Sequence, residues 1–74
     1  MISYEVLLGV DRAARDTGRR ITLQVRERDQ LSAAIKAEQR ADARLRNPVE
    51  YTHAMRVKAV TRPATAAMLL ALAA

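Results

Sequence analysis

Apolar and polar residues alternate with period two across residues 2–10 (ISYEVLLGV). Ile2, Tyr4, Val6, Leu8 and Val10 fall on one side, and Ser3, Glu5, Leu7 and Gly9 on the other. Such alternation predicts a half-buried strand. A second strand is predicted over residues 20–26 (RITLQVR), with Ile21, Leu23 and Val25 toward the core and Arg20, Thr22, Gln24 and Arg26 outward. A third, over residues 51–60 (YTHAMRVKAV), groups His53, Met55, Val57 and Ala59 on its apolar side and Thr52, Ala54, Arg56 and Lys58 on the other. Between the second and third strands the period changes. Residues 29–45 (DQLSAAIKAEQRADARL) read as one long amphipathic helix, with Leu31, Ala34, Ile35, Ala41 and Leu45 on a shared arc and Ala37 at its edge.

The ends of that helix are marked chemically. Asp29 is a good N-cap, because its carboxylate accepts from unpaired first-turn N–H groups at the positive end of the dipole. Asn47-Pro48 ends it, since proline cannot continue a helix and disfavours the α region for the residue before it. Glu38 and Asp42 fall inside the apolar arc, where a bare carboxylate is costly. Either the arc is half covered, or these acids meet arginines of the strands or of another chain; Arg46 also lies within i+4 reach of Asp42. Lys36, Arg40 and Arg44 recur at i, i+4 and i+8 on the opposite side, as a solvated face or as an anion-binding ridge.

Residues 11–19 (DRAARDTGR) predict a polar connection that turns at Asp-Thr-Gly, with Gly18 taking the left-handed conformation. It carries Arg12, Arg15 and Arg19, and long exposed loops of this kind are either functional or simply solvated. Residues 61–74 (TRPATAAMLLALAA) predict a short C-terminal helix with Pro63 in its first turn and apolar residues nearly all round. A helix of that length spans about 18 Å, against a hydrocarbon core of about 30 Å. It is expected to close the core or to pack against its counterpart in a dimer, through Met68, Leu69 and Leu72.

The fold expected is therefore α+β. A β-β-α-β domain over residues 1–60 forms a three-stranded antiparallel sheet of order 2-1-3 under one long helix, and the apolar C-terminal helix of residues 61–74 belongs to the same domain or serves dimerisation. The uncovered sheet face then carries Arg20, Arg26, Arg56 and Lys58 together.

Composition narrows the function more than the fold. The chain has 74 residues, no cysteine, no tryptophan and no phenylalanine. A domain this small has a thin core, which argues for a partner or a second copy. Its 13 basic residues exceed its 8 acidic ones, giving a net charge of +5. All but Lys36 and Lys58 are arginine, the residue suited to bidentate contact with phosphate or carboxylate. Catalytic chemistry has little to use. His53 is the single histidine, placed on an apolar strand side; no metal-ligand spacing and no glycine-rich phosphate loop appear. An enzyme is not expected, nor a cofactor or metal. Nucleic-acid binding is permitted by charge, but the outward strand positions offer no aromatic residue for bases to stack on. With no leader pattern, a cytoplasmic location is expected.

In size and element order, the runs ISYEVLLGV, RITLQVR, DQLSAAIKAEQRADARL and YTHAMRVKAV resemble an arrangement common among very small phage and mobile-element proteins, including some anti-CRISPR proteins. That resemblance implies a non-catalytic inhibitor of a host nucleoprotein complex, acting by surface contact without a cofactor. The leading expectation is thus a protein-interaction module, expected to be a homo-oligomer, whose basic surface engages a larger protein or nucleoprotein complex and not a membrane. A sequence-tolerant nucleic-acid binder is the alternative, and a structural subunit of a phage particle a third.

Overall fold

The structure is a computed structural model that describes residues 1–60. The expected C-terminal helix, with its dimer contacts Met68, Leu69 and Leu72, lies outside the described residues. The elements are β1 (Ile2–Arg12), β2 (Arg15–Glu27), α1 (Gln30–Asp42) and β3 (Glu50–Ala59). The strands form an antiparallel sheet of order β2-β1-β3, with α1 across one face.

The alternation of β1 sets the core. Tyr4, Val6 and Leu8 are buried beneath α1, beside Val25 of β2, and Val10 is buried farther along β1. Tyr4 pairs with Val25, Val6 with Leu23 and Leu8 with Ile21, so the apolar sides of the hairpin coincide.

The hairpin is longer than expected, because residues 11–19 do not form a loop. Arg12 pairs with Arg15 across a two-residue turn at Ala13 and Ala14, both at positive φ. That is the backbone of a primed turn, whose twist matches that of the flanking strands. Asp16-Thr17-Gly18 is instead part of an irregularity within β2. Gly9 pairs with Arg20 and Asp11 with Asp16, so Thr17, Gly18 and Arg19 lie opposite Val10 alone. The Thr17 hydroxyl donates to the Val10 carbonyl at 2.7 Å, and Gly18 takes φ 84°. Gly18 thus needs the left-handed region, as expected, but for a bulge and not for the reversal.

The helix starts where expected: Asp29 caps it by accepting the Ser32 N–H at 2.8 Å. It ends earlier, at Asp42, with Ala43 as the C-cap. Its buried face also differs. Ala33, Ala37 and Ala41 are fully buried, whereas Leu31 is 72% exposed and Ile35 46%. The helix has turned so that its small residues meet the sheet, where the branched side chains of β1 and β2 already fill the layer between them. Alanine permits the close approach; leucine would not fit there without strain.

That rotation places Glu38 and Asp42 beside β3. Asp42 Oδ1 accepts both the backbone N–H and the hydroxyl of buried Thr52, each at 2.7 Å. Glu38 Oε2 accepts the Ala54 N–H at 2.8 Å. The two acids bond the edge-strand backbone and no arginine, and Arg46 pairs with neither.

A bulge divides β3. Leu7 pairs with Arg56 but Leu8 with Ala54, leaving Met55 as the additional residue. Beyond it the facing inverts relative to a simple alternation. Thr52 and Ala54 lie with Val57 and Ala59 on the helix side, opposite Val10, Leu8, Val6 and Tyr4. His53 stands on the open face, opposite Gly9.

Candidate functional site

The open face of the sheet is the surface on which β1, β2 and β3 together present chemistry. Its middle row is Ser3, Glu5, Leu7, Gly9 and Asp11 of β1. By register, Arg26 lies opposite Ser3, Arg20 opposite Gly9, Arg56 opposite Leu7 and Lys58 opposite Glu5. The four cations expected on one sheet face therefore do share it.

They are not equivalent. Arg20 donates to both carboxylate oxygens of Asp16 at 2.9 Å, so its charge is largely satisfied within the chain. That bidentate contact, with a further hydrogen bond from the Gly18 N–H, lowers the Asp16 carboxyl from 3.8 to about 2. Arg26, Arg56 and Lys58 have no carboxylate partner among the described residues. Together with Glu5, Leu7 and Thr22, Arg56 and Lys58 line a shallow depression of about 120 Å³. Small-molecule sites run to several hundred Å³, so this one suits an anionic side chain or phosphate better than a metabolite.

The other half of the face is held by internal pairs. The His53 ring lies over Gly9, where a Cβ would sit 2.7 Å from its Cε1 and 3.0 Å from the Met55 sulfur. A side chain at position 9 would displace both groups. Nδ1 of His53 lies 2.6 Å from Asp11 Oδ2, without the alignment of a hydrogen bond. Tyr51 lies opposite Asp11, exposed on the same face. The face is thus segregated: Arg56 and Lys58 beside Leu7 and Glu5, with Arg26 beyond them opposite Ser3, at one end, and Asp11–His53 and Asp16–Arg20 at the other.

The remaining expected sites do not join this face. Arg12 and Arg15 flank the hairpin turn, opposite one another. Arg19 reaches across to Glu50 of β3, with its Nη1 3.2 Å from each carboxylate oxygen. The Lys36, Arg40 and Arg44 ridge is broken up: Lys36 lies 3.8 Å from Glu27, and Arg44 falls beyond the Ala43 cap. Conversely, the sequence reading missed the outward placement of His53, Met55 and Tyr51. A single extra residue in β3 causes the inversion, and no glycine or proline in that strand announces it.

Among the described residues there is no cluster of three metal-ligating side chains, and no helix is long and apolar enough to cross a membrane. Comparison with family models, with curated proteins and with solved structures finds no match to this chain.

Proposed function

We propose that this chain is a non-catalytic interaction module that docks the basic end of its open sheet face onto an acidic surface of a larger protein or nucleoprotein complex. The observation that carries the reading is the pair Arg56 and Lys58, without a carboxylate partner among the described residues, beside half-buried Leu7, with Arg26 exposed farther along the same face. An apolar centre bordered by cations is the composition of a protein-binding patch, in which charges steer encounter and the desolvated centre holds the complex. The likeness in size and element order to small phage proteins extends the proposal to an inhibitor that occludes a host nucleoprotein complex.

One observation favours a second reading, direct contact with nucleic acid. Tyr51 is exposed on the same face as the cations and offers a base one ring to stack on. The two readings differ in salt dependence. Phosphate binding releases counterions and weakens steeply between about 50 and 200 mM salt, whereas a desolvated protein contact persists.

The experiment pairs mobility shifts on mixed-sequence DNA and RNA with capture of host protein at physiological salt after nuclease treatment. Wild type is compared with the triple variant Arg26→Ala, Arg56→Ala, Lys58→Ala. The expected outcome is a discrete captured protein that the triple variant loses, with nucleic-acid retention that vanishes at the same salt. Because all three side chains are exposed, the triple variant should keep its stability to within about 0.5 kcal/mol per site. Nucleic-acid binding that persists at physiological salt would favour the second reading. Unchanged protein capture by the folded triple variant would overturn the assignment of this face.

A further inference from the structure

The two edges of the sheet are finished differently. On β3, the outward N–H groups of Thr52 and Ala54 are already taken by Asp42 at 2.7 Å and Glu38 at 2.8 Å. An incoming strand would have to displace both carboxylates. On β2, no hydrogen bond from another described element reaches the outer edge over residues 20–27. Residues 20–27 lie past the bulge and pair regularly with β1. Ile21 and Leu23 pack against the core yet stay only partly buried, so apolar surface continues along this edge. A long, regular, partly apolar edge is a template for strand addition.

We propose that a second copy of this chain occupies that edge. The two β2 strands pair antiparallel about a two-fold axis through Leu23, joining two three-stranded sheets into one of six strands. A symmetric antiparallel pair sets one residue opposite itself, and the sequence of β2 selects which. With Leu23 on the axis, Ile21 meets Val25 on the helix side, and Thr22 meets Gln24 on the open face. Arg19, the last residue of the bulge, meets Glu27 once at each end of the ladder, with opposite charges opposed when its guanidinium turns from Glu50. The like-charged meeting is Arg20 with Arg26, and Arg20 is already neutralised by both oxygens of Asp16. Moving the axis to Ile21 would run the ladder through the bulge, where Gly18 has φ 84°. Moving it to Val25 would shorten the ladder and set Leu23 against Glu27. The axis stands perpendicular to the sheet, so both helices lie on one side and the two open faces become continuous. This inference does not rest on the binding role of that face.

The test uses the full chain in sedimentation equilibrium and a cysteine scan. Wild type is expected to be a dimer. Because the chain has no cysteine, Leu23→Cys introduces a single thiol. Directly opposed residues in antiparallel strands have Cα atoms about 4.5–5.5 Å apart, within disulfide reach. Mild oxidation should therefore link Leu23→Cys to its own counterpart and leave Gln24→Cys largely unlinked. Glu27→Arg sets cation against cation at both ends and should weaken the dimer roughly tenfold. Adding Arg19→Glu to Glu27→Arg should restore it. The intramolecular partners of these residues, Glu50 and Lys36, cannot produce such a rescue, because the double variant opposes like charges with both of them. A monomer at every concentration overturns the proposal. So does a dimer that Glu27→Arg leaves unchanged, or a folded Leu23→Cys dimer that stays reduced under the same oxidation.

Discussion

Ala13 and Ala14 reverse the chain at φ 52° and 61°, a region that L-residues with a Cβ enter at a cost of about 1 kcal/mol each. Their presence shows that the turn is imposed by the strands on either side, since the alanines themselves favour helix. The strain is removable. Ala13→Asn with Ala14→Gly, the pair that a primed turn prefers, should raise stability by about 1 kcal/mol in thermal or urea unfolding. A loss of stability would mean that the reversal is a wider loop than the backbone angles indicate. Gly9 is the converse case. It is small because His53 and Met55 lie across it, not because its backbone requires glycine.

At the scale of elements, the helix is organised by what its residues can approach. Ala33, Ala37 and Ala41 form the stripe that touches the sheet, and the larger Leu31 and Ile35 face away. Two substitutions separate this arrangement from the one that hydrophobicity alone favours. Ala37→Leu should destabilise by about 1–3 kcal/mol through overpacking, while Leu31→Ala, at a site 72% exposed, should stay within about 0.5 kcal/mol. Urea unfolding of the two variants decides, and the reverse ordering would restore the leucine face as the buried one. The same rotation explains why Glu38 and Asp42 are not stranded in a core. They accept N–H groups of Thr52 and Ala54 that would otherwise point from a sheet edge, so one helix flank both closes an edge and satisfies its own acids.

For the whole molecule, a core built largely of valine and alanine leaves a small domain with a narrow stability margin, and surface carboxylates then matter to its response to acid. Asp16 is held at about 2 chiefly by its hydrogen bond from Arg20. Asp29 is lowered chiefly by the Ser32 N–H, with a second contribution from the Ser32 hydroxyl. Both carboxyls have folded values below their unfolded ones, so the folded state binds fewer protons. Their stabilisation is fully present above the ordinary aspartate range and is lost as pH falls from about 4 toward 2. The melting temperature followed by circular dichroism should therefore decline over that window. Asp29→Asn, which keeps the cap but cannot titrate, should flatten part of the decline. An unchanged slope in that variant would remove Asp29 from the account.

The sequence by itself determined the class and order of the elements, because a nine-residue alternation, an aspartate cap and an Asn-Pro stop are local signals that each residue carries with it. It also determined that Arg20, Arg26, Arg56 and Lys58 share a face, although for the last two the pairing beyond the bulge had to agree with the alternation. Tertiary structure decided the rest. Which arc of the helix is buried depended on the space left by β1 and β2, and small residues won over larger, more apolar ones. Where Gly18 acts depended on how residues 15–19 pair with β1, which no local preference fixes. That His53, Met55 and Tyr51 look outward followed from one extra residue in β3, a change of register that inverts facing without leaving a mark in composition. Which cations remain without a partner is likewise a tertiary property, since Asp16 reaches Arg20 and Glu50 reaches Arg19 only after the hairpin has extended and its strands have aligned.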